Sequence, residues 1–193
     1  MLAEAAALNP GPWIDHSRHV ARGAQAIATA LPSLDADTAY ILGLLHDIGR
    51  RRGVHGMRHV IDGYHYLHEL GYEDSARICL THSYPVQSAG FGSSVWDGTQ
   101  AEYDFVDTYL RSVEYTLYDR LIQLCDALAL PTGFCLMEKR LVDVVMRYGF
   151  GPLTVQKWQA FFVIRDGFDR LLGKSIYSLL PGVIENTFGN PSA

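Results

Sequence analysis

An adjacent histidine and aspartate, His46 and Asp47, end a strongly apolar stretch and stand just before Gly49 in the string LLHDIG. An imidazole and a carboxylate held together at a rigid helix end make two good metal ligands, and the pair suits Fe, Mn, Zn or Ni better than Mg or Ca. The same two side chains could equally form an N–H···O pair that finishes a helix, and the doublet alone leaves both readings open. Asp126 adds a second carboxylate amid Ile122, Leu124, Cys125, Ala127 and Leu128. A lone buried Asp is costly, and a metal is its simplest partner. Eight histidines stand among the 193 residues, and their placement matters more than their number. His16 shares a helical face with Val20 and Ile27, so it points inward from an apolar face; His19 lies about 60° around that helix and is the competing choice. His59 is four residues before Gly63, which leaves room for a metal or a neighbouring helix to approach, though a surface or core role remains open. His82 ends the apolar run RICLTHS, as a ligand or as a capping histidine. His55, in a glycine-flanked loop, is a weaker alternative, and His65 and His68 fall on other faces as solvated or structural residues.

Helices must position these groups. The breaker Asn9-Pro10-Gly11-Pro12 precedes a helical face running from about Trp13 through His16, Val20, Ala24, Ile27 and Leu31 to Pro32. A second helix starts near Asp35 or Asp37, either a good N-cap, and runs until Gly49, which places the doublet in its last turn. A third runs from about Arg58 and closes at Gly71, and a fourth runs from about Glu73 to residues 81–83. Residues 84–101 are rich in Gly and Ser and read as a long loop that could cover a pocket. A helical pattern then extends to Pro131 with a break near its middle, and further helices follow at about 133–148, 154–172 and 174–180. The last ten residues read as loop. No sustained alternation of the strand kind and no repeat is present, so the fold class is all-α.

These residues resemble the HD superfamily, whose name is the His-Asp doublet. The string WIDHSRHVARGAQAIA is similar to the family's opening helix and selects His16, AYILGLLHDIGR looks like the doublet helix, and DRLIQLCDALAL resembles the helix bearing the last Asp. RHVIDGYHYLHELGY is similar to the intermediate His-x-x-x-Gly segment. The resemblance covers residues 12–130 and implies a helical HD core there; beside it, the expectation is a single domain with C-terminal helices packed on that core over 131–182 and tails at 1–11 and 183–193. It implies a metal held by His16, His46, Asp47 and Asp126, with His59 and His82 adding a second ion and Asp47 shared between the two. The activity implied is metal-dependent phosphohydrolysis of a small phosphorylated metabolite or nucleotide, with His46 and Asp47 at the catalytic centre. Phosphate also needs fixed positive charge, and guanidinium groups match its oxygens in pairs. Arg50 and Arg51 directly follow the doublet, and Arg18, Asp119 and Arg120 complete the expected substrate-binding set. Asp119 could instead orient a ligand or pair with Arg120, and any single Arg could be part of a solvated basic turn.

The departures from the family pattern narrow the expectation. Relatives acting on stringent-response nucleotides carry an acidic pair where this chain has Arg50 and Arg51, and the deoxynucleoside monophosphatases also use an acid there. The added histidines are similar instead to the two-metal branch of nucleotide phosphodiesterases and dinucleoside polyphosphate hydrolases. Two other functions stay in view, a di-iron oxygenase built on the same ligands and a non-catalytic nucleotide-binding module. A net charge of −5 argues against a general grip on nucleic acid, which needs many cations on one face. The three cysteines have no C-x-x-C spacing, the first ten residues lack the positive start of a signal peptide, and no stretch approaches the roughly 20 apolar residues of a membrane span. A reduced, cytoplasmic setting is expected. Tyr148, Phe161, Phe162 and Tyr177 recur at helical spacing and read as core or as a homodimer face.

Overall fold

The computed structural model describes residues 1–189. In chain order the helices are α1 (Leu2–Leu8), α2 (Trp13–Thr29), α3 (Ala36–Leu45), α4 (His59–Glu69), α5 (Glu73–Thr81), α6 (Gln100–Ser112), α7 (Leu117–Asp126), α8 (Met137–Tyr148), α9 (Thr154–Leu172) and α10 (Val183–Phe188). Short 3-10 turns lie at Ile48–Arg52, Ala89–Phe91 and Ile176–Leu179, and a two-residue-per-strand hairpin pairs β1 (Ala129–Leu130) with β2 (Gly133–Phe134). The fold is all-α, as expected. Among the described residues no helix is long and apolar enough to cross a membrane, and the three cysteines are free and buried.

Local chemistry sets the helix starts. Asp35 accepts a hydrogen bond from Thr38 N at the head of α3, and Thr99 and Thr116 each form a reciprocal capping box, with Glu102 and Asp119 respectively. Each such cap satisfies backbone donors that the first turn leaves unpaired and stabilises by about 1 kcal/mol. The break between α6 and α7 falls at residues 113–116, where the sequence pattern weakened.

Two glycines permit the close crossings on which the site depends. At Gly43 a Cβ would lie 2.8 Å from Ala21 Cα, so α3 packs directly on the backbone of α2. At Gly49 a Cβ would fall 2.0 Å from His59 O, so the turn after the doublet lies against the start of α4. The glycine after the doublet therefore serves contact between two backbones. Gly63 likewise makes room for protein and not for an ion, since Cys79 Sγ and Gly49 N fill the space its side chain would need.

Three expectations fail. The helical pattern to Pro131 stops at Asp126, because Pro131 and Gly133, the latter at φ +142°, turn the chain into the hairpin. The expected N-terminal tail contains α1, whose Ala5 is buried in a cluster with Trp13, Leu45 and Ile48; Asn9 Nδ2 also donates to Arg50 O at 2.6 Å. The end of the chain, expected as loop, contains α10, and residues 190–193 lie outside the described residues.

The main core joins α2, α3 and α7 to residues of the C-terminal third. Val20, Ala24 and Ile27 meet Leu121, Ile122 and Leu124, and these share one apolar cluster with Phe134, Met137, Phe161, Ile164 and Phe168. Each fully buried aliphatic side chain contributes about 1.5–3 kcal/mol. A second cluster fills the space between α4, α5 and α6. Phe161 is in the core, while Phe162 and Tyr177 pack against its edge.

Candidate metal centre

Five helices and one turn deliver ionisable side chains to one point. His16 comes from the second turn of α2, His46 is the C-cap of α3, Asp47 opens the following turn, His59 begins α4, His82 caps the end of α5, and Asp126 ends α7. All four histidines and Asp47 are buried, and Asp126 is partly so. The rings form a continuous row with centroids 5.3 Å apart for His16–His46, 4.9 Å for His46–His82 and 5.5 Å for His82–His59.

The carboxylates sit within this row. His16 Nε2 is 3.0 Å from Asp126 Oδ1. Asp47 turns Oδ2 toward His46 Nε2 at 3.9 Å and Oδ1 toward His59 Nε2 at 3.1 Å and His82 Nε2 at 3.6 Å. Ligand atoms of His16, His46 and Asp126 all lie within 4.8 Å of one another, as do those of His46, Asp47 and His82. The row thus has two lobes, with His46 and Asp47 between them.

Backbone carbonyls fix the ring orientations. His46 Nδ1 is 2.7 Å from Gly43 O, His59 Nδ1 is 2.6 Å from Gly56 O, and His82 Nδ1 is 3.0 Å from Cys79 O. A carbonyl can only accept, so Nδ1 carries a proton in each ring and Nε2 is the ring nitrogen turned toward the centre. Such outer bonds set the tautomer and orientation of metal-binding histidines.

The electrostatics agree. Burial pushes the His82 imidazolium down to about 3, with His46 adding to the shift, and burial also lowers His16 despite the neighbouring Asp126. Burial opposes ionisation of Asp47, yet Arg50, His59 and His46 hold its carboxyl well below the usual range. Asp126 is likewise lowered against the cost of burial by His16 and Arg140. Neutral imidazoles and ionised carboxylates are the forms that bind a cation. His46 Nε2 and Asp47 Oδ1 are buried without a hydrogen-bond partner, an arrangement that costs free energy unless a cation completes it. The residues therefore fit a divalent metal.

Five residues of the row, His16, Asp47, His59, His82 and Asp126, line a cleft of about 740 Å³. Of the expected cations, only Arg50 faces this cleft, with Nε 2.6 Å from Asp47 Oδ2. Arg18 is exposed and pairs with Asp15. Arg51 packs over Tyr66 and faces Glu4. Arg120 donates to Pro85 O and Gln123 Oε1 and lies over Tyr115. None of these three lines the cleft, because local partners hold each guanidinium elsewhere.

Asp119 is also misplaced by the sequence reading. It is fully buried and accepts from Arg77, from Thr81 Oγ1 and from the Thr116 cap, so it ties α5 to α7 and has no lone pair for substrate. Asp119→Ala is expected to cost about 2–3 kcal/mol by leaving these donors unpaired, with metal content per folded chain unchanged; urea unfolding and metal analysis check the two halves. His19 is half-buried, with Nδ1 on Asp15 O, and His55 faces Asp97 away from the row. His65 and His68 are exposed beside Phe105 and Tyr64.

Two residues that sequence reasoning missed line the cleft from the C-terminal helices, Arg140 of α8 and Lys157 of α9. Nothing in their local strings marks them, since each reads as an ordinary charged helix position. The loop expected to cover a pocket contributes Gly90 through Ser94 to the wall.

An HD-domain family model matches residues 13–130, a span that contains all six residues of the row. No curated protein and no solved structure matches the chain. HD domains bind divalent metals as a family, and two overlapping groups of histidine and aspartate here could hold one. With the doublet, its flanking ligand types and most of its length matched, the chain belongs to the HD-domain family.

Proposed function

We propose that this protein is a metal-dependent phosphohydrolase that cleaves a phosphomonoester, phosphodiester or phosphoanhydride bond in a small phosphorylated metabolite or nucleotide. The observation that carries this reading is a buried row of four histidines and two carboxylates, with unpartnered Nε2 and Oδ1 atoms, at a cleft whose nearby walls supply cations. His16, His46, Asp126 and Asp47 would hold one ion, and Asp47, His59 and His82 a second. A divalent transition metal supplies Lewis acidity, making water nucleophilic near neutral pH and offsetting charge on a phosphoryl group.

The chain's own residues do the rest. The Nδ1 bonds to Gly43, Gly56 and Cys79 carbonyls hold the rings in place, and Arg50 fixes one oxygen of Asp47 while its guanidinium remains at the cleft wall. Residues 90–94 line one side of the cleft. Farther out, Val144, Tyr148, Phe150, Leu153 and Trp158 form an apolar wall suited to the organic part of a substrate.

The test is phosphate release from a panel of nucleotides, sugar phosphates and dinucleotides, run without oxygen on chelator-stripped and on Mn-, Fe- or Zn-reloaded protein. Release that needs metal but not oxygen is expected. Iron-dependent turnover that consumes oxygen and frees no phosphate would replace this reading with the oxygenase.

A further inference from the structure

The cleft contains a buried cation for which the metal row has no need. Lys157 is only 9% exposed, and its ammonium makes one hydrogen bond, to Ser93 Oγ at 2.7 Å. Among the described residues no carboxylate lies within ion-pair distance of it; the Phe161 ring centroid is 5.8 Å away, and two of its three N–H donors have no hydrogen-bond acceptor. Retaining a desolvated ammonium without a counter-ion is costly. Arg140, one helix away, is also under-satisfied: its closest charged contacts are 3.4 Å to Asp143 and 3.7 Å to Asp126, and its buried Nε has no partner. Both side chains line the same cleft as His16, Asp126 and Arg50.

We infer that Lys157 and Arg140, together with the Ser93 hydroxyl, form an anion subsite that seats a phosphoryl group of the substrate beside the His16–Asp126 lobe. The inference rests on the phosphohydrolase reading for its ligand. A tetrahedral oxyanion matches the open donors, since a guanidinium can offer two parallel N–H groups and an ammonium a third direction. Burial pushes the Lys157 ammonium down to about 7, and an arriving dianion would hold it charged. Both cations lie outside the segment matched by the family model. In this chain the C-terminal helices therefore complete the cleft chemically as well as sterically.

The test is calorimetric titration of the full chain with inorganic phosphate, before and after chelator treatment, for the wild type, Lys157→Met and Arg140→Gln, with Lys157→Gln as a second variant should the first misfold. The stripped wild type is expected to bind phosphate, and each variant to weaken that binding by about tenfold or more, at unchanged metal content and helical circular dichroism. Stripped wild type that binds no phosphate, or variants within twofold of it, would overturn the subsite. A variant that loses metal along with phosphate would show that its residue serves the metal ligands instead. Phosphate held by this pair in a protein that hydrolyses no ester would remove the hydrolase reading and leave the subsite standing. Hydrolysis with unchanged KM in the variants would do the reverse.

Discussion

Asp47→Ala is expected to lower turnover by about a thousandfold or more and to strip the protein of metal, with its helical content intact. The magnitude follows from the several kcal/mol of charge stabilisation that a catalytic metal supplies, at about 1.4 kcal/mol per factor of ten. Asp47 is the residue on which both lobes depend, because its two oxygens face His46 on one side and His59 and His82 on the other. Its loss leaves each lobe short of negative charge and leaves Arg50 as an uncompensated cation beside His59. Stability should fall less than activity, since Arg50 is partly exposed and can turn to water. Steady-state kinetics with metal analysis checks this. Activity within tenfold of the wild type would remove Asp47 from the catalytic account.

The second large effect is acid destabilisation of the metal-free protein. His82 is held neutral in the fold, with burial pushing it to about 3 from an ordinary 6.5. Below pH 6.5 the unfolded chain gains a proton that the folded chain refuses, so stability falls as pH decreases toward 3. The slope approaches about 1.4 kcal/mol per pH unit below the unfolded value, which makes roughly 2 kcal/mol between pH 6.5 and 4.5 from His82 alone. His16 is lowered too and acts in the same direction. Below about 3.8 the depressed Asp47 and Asp126 add to the loss, because their stabilisation is present above the unfolded value and disappears as pH falls through the folded one. Urea midpoints of chelator-stripped protein from pH 7.5 to 4.5 measure this. A flat profile across that range would contradict the burial of His82 and His16 as neutral imidazoles.

The inward placement of the row's residues is legible where local pattern and burial coincide. His16 could be separated from His19 by the face it shares with Val20 and Ile27, and the structure buries the former and leaves the latter at the edge. The helix start at Asp35 follows from a side chain that caps the backbone locally, whereas the cap at Thr99 lies inside the stretch that reads as loop from its Gly and Ser content. What stayed hidden depends on partners distant in sequence. Asp119 has the look of an inward carboxylate near a site, yet its charge is met by Arg77, 42 residues earlier. Arg140 and Lys157 reach the cleft only because α8 and α9 fold back on α2 and α7, and no spacing within either helix announces that. The hairpin after α7 was masked by apolar residues that suit a helix as well as a strand, and only Pro131 and Gly133 marked the turn. The doublet's glycine was read as a helix stop, whereas its tighter constraint is the His59 carbonyl packed against it.

The central claim is that six residues from five helices and the turn after α3 form one metal centre. It is tested most directly by titrating Mn, Fe or Zn into the chelator-stripped full chain, in parallel with Asp47→Ala, and following heat and bound metal. The account predicts up to two ions per chain in the wild type and the loss of this binding in the variant. A wild type that binds no transition metal, or a variant that binds it equally well, would contradict it.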